Sequence, residues 1–229
     1  MCTFVNKNQP SAVLVGLLRG VLLLLPTALL WSAQIPDLKQ VAADRYGPLG
    51  RETVEQWEAM IHTHSNANPR QQVEAVNDFF NQNIRWMSDY EAYKDEDYWA
   101  SPLETLGRGV GDCEDFSIAK YATLALMGIP PTSLRMVYVR AKYRGQDIAH
   151  MVLAWYPTPQ SAPLILDNLD RKLKPAGERT DLKAVFSFNA DDLWLGARRQ
   201  STGQEPTARL SRWNRVVLRI REEGFTEGF

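Results

Sequence analysis

The spacing of apolar residues changes at Gly128-Ile129-Pro130, and that change limits the fold more than any other feature. Ahead of it, apolar side chains recur every three or four residues, the repeat of a helix with one buried face. Val54, Trp57 and Ile61 lie at that spacing within 52–61, after a polar connector at 34–50. Asn68-Pro69 then supplies an N-cap and a proline at the first helical position. Val73, Val76, Phe79, Phe80 and Ile84 continue the repeat, which predicts a second amphipathic helix over 69–86. The acidic, aromatic stretch 88–101 reads as a loop. From Cys113 to Met127 the residues are apolar on most sides, the mark of a helix enclosed by the rest of its domain. Gly128 and Pro130 end it as a C-cap and a breaker do.

Beyond Pro130 the period is two. Leu134 to Arg140, Ile148 to Tyr156 and Leu164 to Asp167 read as strands, joined by turns at 143–147 and 157–163. Connections this short favour antiparallel pairing. Leu210, Trp213, Val217 and Ile220 return to helical spacing, although a strand is possible there. The fold class is therefore α+β: helices first, then an antiparallel sheet, then a closing helix.

At the N-terminus, Lys7 and Arg19 precede the apolar run Val21–Leu25, Pro26 interrupts it, and Thr27–Trp31 continues it. About a dozen apolar residues suits the core of an export signal and falls short of the roughly 20 that span a membrane. Residues 1–33 are expected to be a signal peptide, or an uncleaved signal anchor since Trp31 sits where a small residue should precede the cut, and 34–229 the functional domain. If the segment leaves, Cys113 is the sole cysteine, a thiol with no disulfide role in an oxidising compartment. Formal net charge is −1 with no basic stripe among aromatics, which argues against nucleic acid as a partner.

Gly111-Asp112-Cys113-Glu114-Asp115-Phe116 puts that thiol where a helix begins, and the helix dipole there lowers a thiol pKa. A thiol nucleophile needs a base and a group that fixes the base's tautomer. Three histidines are present. His62 and His64 lie in a polar turn between helices. His150 shares a strand face with Ile148, Val152 and Ala154, and is either a satisfied core residue or a site residue. Asp167 ends an apolar strand expected beside that of His150, where it can accept the second ring N–H. Cys113, His150 and Asp167 are thus a candidate triad, and the Cys113 backbone N–H a candidate oxyanion donor.

Asp112, Glu114 and Asp115 should disfavour a thiolate by like charge. They are either first-turn acids stabilised by the dipole or ligands of a hard cation. An oxygen-only donor set favours Ca²⁺ over Zn²⁺. An acid of the 89–97 stretch could add a ligand, with a solvated loop as the alternative.

Gly111–Ser117, Ala149-His150-Met151-Val152-Leu153 and Leu166-Asp167-Asn168 resemble the three motifs of the bacterial transglutaminase-like cysteine proteinases. The likeness extends over roughly 45–222 and includes Ser101-Pro102-Leu103-Glu104-Thr105-Leu106. The separations, 37 residues from Cys113 to His150 and 17 from His150 to Asp167, fit that family. The resemblance implies a papain- or transglutaminase-like core with the catalytic cysteine at a helix start and the histidine and acid on the sheet. It implies a Cys113–His150–Asp167 cysteine protease dependent on Ca²⁺, with Asp112 and Glu114, and less directly Asp115, at the metal. It implies a periplasmic enzyme cutting a large surface adhesin near its N-terminus at a di-alanine site, releasing cells from biofilm. The implied regulator is the periplasmic domain of an inner-membrane cyclic-di-GMP receptor. Two alternatives stay open: transglutaminase or amidase acyl transfer, and a non-catalytic binding module of the same fold.

Overall fold

A computed structural model of the chain describes residues 37–196 and 201–225; the expected signal segment 1–33 lies outside them. Helix α1 (Leu38–His64) begins within the stretch read as a connector, because Asp37 caps it by accepting from the Lys39 and Gln40 N–H groups. It comprises two helical runs joined at Gly47 (φ 78°). Pro48 has no N–H for the preceding turn, and glycine alone takes that dihedral without strain. Helix α2 (Pro69–Asn83) opens on a reciprocal Asn68–Gln71 cap. It is followed by strand β1 (Arg85–Trp86), helix α3 (Asp89–Tyr93), helix α4 (Pro102–Arg108), strand β2 (Val110–Gly111) and helix α5 (Cys113–Leu126). The short helix α3 lies where a loop was expected, set by a Ser88–Glu91 capping box.

Helix α5 is buried without a break from Asp115 to Ala125, as its all-round apolar sequence requires. It ends in a Schellman motif. Gly128 (φ 87°) donates to the Ala125 carbonyl, and Ile129 to that of Leu124, both at 3.0 Å. Strands β3 (Leu134–Tyr143), β4 (Gln146–Trp155), β5 (Leu164–Leu166), β6 (Lys174–Pro175), β7 (Leu182–Phe188) and β8 (Leu193–Leu195) form one antiparallel sheet, in the order β6-β5-β4-β3-β7-β8. The β3–β4 turn is only Arg144-Gly145, both with positive φ, the dihedrals of a tight primed hairpin. Helices α6 (Pro206–Arg209) and α7 (Ser211–Glu222) close the described chain.

The main core lies between the helices and one face of the sheet, with α5 against β4. Trp57 of α1 donates to Thr123 of α5 at 2.9 Å. Trp213 of α7 meets Tyr121 edge-on at 6.2 Å and Phe188 at 5.4 Å. The other sheet face carries a smaller cluster, Val137, Val139, Val152, Ala154 and Ile165 among it. No helix of the described residues is long and apolar enough to cross a membrane.

Candidate active site

Gly111 and Asp112 lead from β2 into α5, and two acids build the helix start by bonding each other's backbone. Asp112 Oδ1 accepts from the Glu114 N–H and Asp115 Oδ2 from the Asp112 N–H, both at 3.2 Å. Asp115 Oδ1 takes the Ala100 N–H at 2.7 Å, tying this turn to the chain ahead of α4. A Cβ on residue 111 would lie 2.7 Å from Asp115 Cβ, so the turn needs glycine. Cys113 is thereby the first residue of α5, where backbone N–H groups have no partner within the helix.

The Cys113 thiol is half-buried. It donates to Glu114 Oε2 at 2.7 Å, and the Met151 backbone N–H acts to lower its pKa. Burial, then the charges of Glu114 and Asp112, push the thiol pKa well up. The helix dipole works in the other direction.

Met151 follows His150 in β4. His150 is buried, and its Nε2 lies 2.8 Å from Asp167 Oδ1. Burial alone would raise the Asp167 carboxyl, but bonds from His150, the Leu169 N–H and Arg179 hold it well below the usual range. An ionised Asp167 is an acceptor only, so Nε2 carries the ring proton and the neutral ring offers its lone pair at Nδ1. The structure thus joins His150 to Asp167, while the Cys113 thiol bonds Glu114 rather than the His150 ring. His62 is exposed at the end of α1, and His64 Nδ1 bonds the Met60 carbonyl of its own helix at 2.9 Å.

Further residues here escaped the sequence reading. Arg179 Nη2 donates to Asp167 Oδ2 at 2.7 Å. Lys120, buried on α5, donates to Asn77 and Asn81 side-chain oxygens at 3.0 Å each and to the Asp167 carbonyl at 3.3 Å. Burial pushes its ammonium down to about 7, against the pull of Asp167. The one signal for Lys120 was its charge inside an otherwise apolar helix; Arg179 lies in a connection with no periodicity to mark it. A cavity of about 310 Å³ occupies the far face of the sheet and meets this site only through Arg179.

The acids fall into two overlapping groups. Asp89, Asp112 and Asp115 place carboxylate oxygens within 4.8 Å of one another, as do Asp112, Glu114 and the Cys113 sulfur. Asp89 belongs to the stretch read as a loop, yet it is buried, at the start of the helix whose Ser88–Glu91 box was legible in the sequence. Its Oδ2 accepts the Tyr98 N–H at 2.7 Å, while its Oδ1 is buried with no partner. Desolvation, then mutual repulsion, pushes Asp112 up to about 10; burial also raises Asp89 to about 6 and Asp115 well above its ordinary value. Three convergent carboxylates and one orphaned oxygen fit a hard divalent cation with oxygen ligands. Trp99, in the same 88–101 stretch as Asp89, is buried and stacks on Phe188 at 6.0 Å.

The family model of the bacterial transglutaminase-like cysteine proteinases matches residues 51–186. The chain belongs to that family. Among solved structures, this proteinase is similar to Legionella pneumophila LapG in its EGTA-treated form, with 39% identity over 80% of this chain and 95% of that one, at a TM-score of 0.70. The calcium-bound form of Legionella pneumophila LapG matches at the same identity, covering 80% of this chain and 97% of that one, at a TM-score of 0.69. No curated protein matches. The mixed helical and antiparallel architecture is that of the LapG fold, as expected.

Proposed function

We propose that this proteinase is a calcium-dependent endopeptidase using Cys113 as nucleophile, His150 as base and Asp167 as the group that orients the base. The observation that carries the reading is the 2.8 Å bond from His150 Nε2 to Asp167; the backbone N–H of the next residue, Met151, favours the Cys113 thiolate. His150 Nδ1 takes the thiol proton, and the sulfur attacks a peptide carbonyl. The oxyanion is met by the Cys113 N–H at the start of α5. His150 then gives its proton to the departing amine, and the Cys113 acyl-enzyme is hydrolysed by a water that His150 deprotonates.

Asp89, Asp112 and Asp115, with Glu114 beside them, would hold the calcium. Bound there, Ca²⁺ offsets the carboxylate charge that opposes ionisation of Cys113. The calcium-bound and EGTA-treated forms of Legionella LapG support calcium as the ion.

The proposed substrate is a large surface adhesin, cut near its N-terminus at a di-alanine site in the periplasm with release of cells from biofilm. The proposed regulator is the periplasmic domain of an inner-membrane cyclic-di-GMP receptor. The test incubates the protein with the N-terminal region of a co-encoded giant adhesin, with calcium or with chelator, and reads products by mass spectrometry. Two fragments formed only with calcium are expected. Cross-linked or deamidated products would instead identify an acyl transferase, and cleavage by Cys113→Ala would remove the thiol from the mechanism.

A further inference from the structure

We infer that Lys120 and Arg179 are positioning residues that hold Asp167 from opposite ends, Arg179 through its carboxylate and Lys120 through its main-chain carbonyl. The inference rests on the triad reading and deepens it.

Asp167 needs such support because the sheet does not supply it. The β4–β5 ladder pairs Leu164, Ile165 and Leu166 and then stops, one residue short of the acid. Its carbonyl is taken instead by Asn81 Nδ2 at 2.8 Å and Lys120 Nζ at 3.3 Å. Its carboxylate is fixed at both oxygens. Oδ1 accepts from His150 Nε2 at 2.8 Å and the Leu169 N–H at 2.9 Å, and Oδ2 accepts from Arg179 Nη2 at 2.7 Å. Arg179 is itself clamped by Asp181, through Nε at 2.9 Å and Nη2 at 2.7 Å. The carboxylate plane, and with it the imidazole it bonds, has little freedom left.

A buried ammonium is costly, and a leucine or methionine would fill the same place on α5 without that cost. Lys120 satisfies all three of its donors, and one of the three acceptors is the residue that orients the base. Its position on the helix adds a mechanical argument. Lys120 lies two turns, about 10 Å, along α5 from Cys113. One rigid helix therefore carries both the nucleophile and the group that anchors the acid, which fixes their separation whatever the connecting loops do.

The test uses full-length calcium-loaded protein carrying Lys120→Met, Arg179→Gln, Arg179→Lys or Asp167→Asn. Iodoacetamide alkylation of Cys113 is followed by peptide mass spectrometry, which separates it from Cys2. Rates are taken between pH 5 and 8, the window of histidine titration. The His150 ring proton is followed by NMR, and thermal unfolding reports whether each variant folds. Folded Lys120→Met and Arg179→Gln are expected to lose about 10- to 100-fold in rate at neutral pH, with an altered pH profile and faster exchange of the ring proton. Arg179→Lys should recover part of the loss. Should Lys120→Met not fold, Lys120→Gln, which keeps a donor for the Asp167 carbonyl, is measured in its place with a smaller loss expected. A lower unfolding temperature with the wild-type profile and ring-proton signal would reduce both residues to packing and overturn the inference. If those variants behave as wild type while Asp167→Asn is slow, the inference fails and the triad stands. If Asp167→Asn also matches wild type, both fail.

Discussion

Asp89 is the residue whose surroundings demand most from the rest of the site. Its carboxylate is buried, one oxygen has no partner, and two further acids converge on it. Asp89→Asn is expected to weaken calcium binding by tenfold or more, since ligand charge count sets such affinities; titration calorimetry against Ca²⁺ checks it. Asp167 makes a different prediction. Its carboxyl is held below the ordinary value of 3.8 when folded, so the stability it contributes is complete above that value and is lost as the pH falls through the folded one. Asp167→Asn should cost about 3–5 kcal/mol at neutral pH, the order for breaking a buried ion pair. The difference from wild type should stay level down to about pH 5 and shrink below it, as chemical denaturation at several pH values would record. His150 was legible in the sequence as an imidazole within a strand, and Asp167 as the acid that ends the next apolar strand. Arg179 and Lys120 were not, because their partners are 12 and 39–47 residues away, and no local period reports such pairings.

At the scale of elements, the turn from β2 into α5 is where backbone and chemistry are least separable. Gly111→Ala would press a methyl group to 2.7 Å from Asp115 Cβ and 2.9 Å from its Oδ2. The same carboxylate caps the helix and belongs to the acidic cluster, so one change reaches both. A loss of about 1–3 kcal/mol, the range for overpacking, together with a blunted stabilisation by calcium is expected, read as unfolding temperatures with and without the metal. The helices and long strands followed from their periods. Strands β6, β7 and β8 did not. Residues 174–175 and 193–195 are too short to express an alternation. In β7 burial alternates over 182–186, but the sequence hides it, because apolar Val185 faces outward with Lys183. Helix α1 was seen over 52–61 and missed over 38–51, because Gly47-Pro48 reads as a turn locally and is absorbed as a kink only when the helix packs against α4.

For the molecule as a whole, a cation held by Asp89 of α3 and by Asp112 and Asp115 at the start of α5 would act as a cross-link between segments far apart in the chain. Calcium at 100 times its dissociation constant contributes about 2.7 kcal/mol. Adding excess chelator should therefore lower the unfolding midpoint by roughly 5–10 °C, as a calorimetric scan would measure, and should abolish alkylation of Cys113 at its calcium-loaded rate. The sheet that completes the domain has margins of an unusual kind. Its outermost strands have two and three residues, and Pro175, in the two-residue one, has no N–H to donate. A second molecule approaching either of these two strands meets too few unsatisfied peptide groups to extend the ladder, so crowding at high local concentration should not seed fibrils from them.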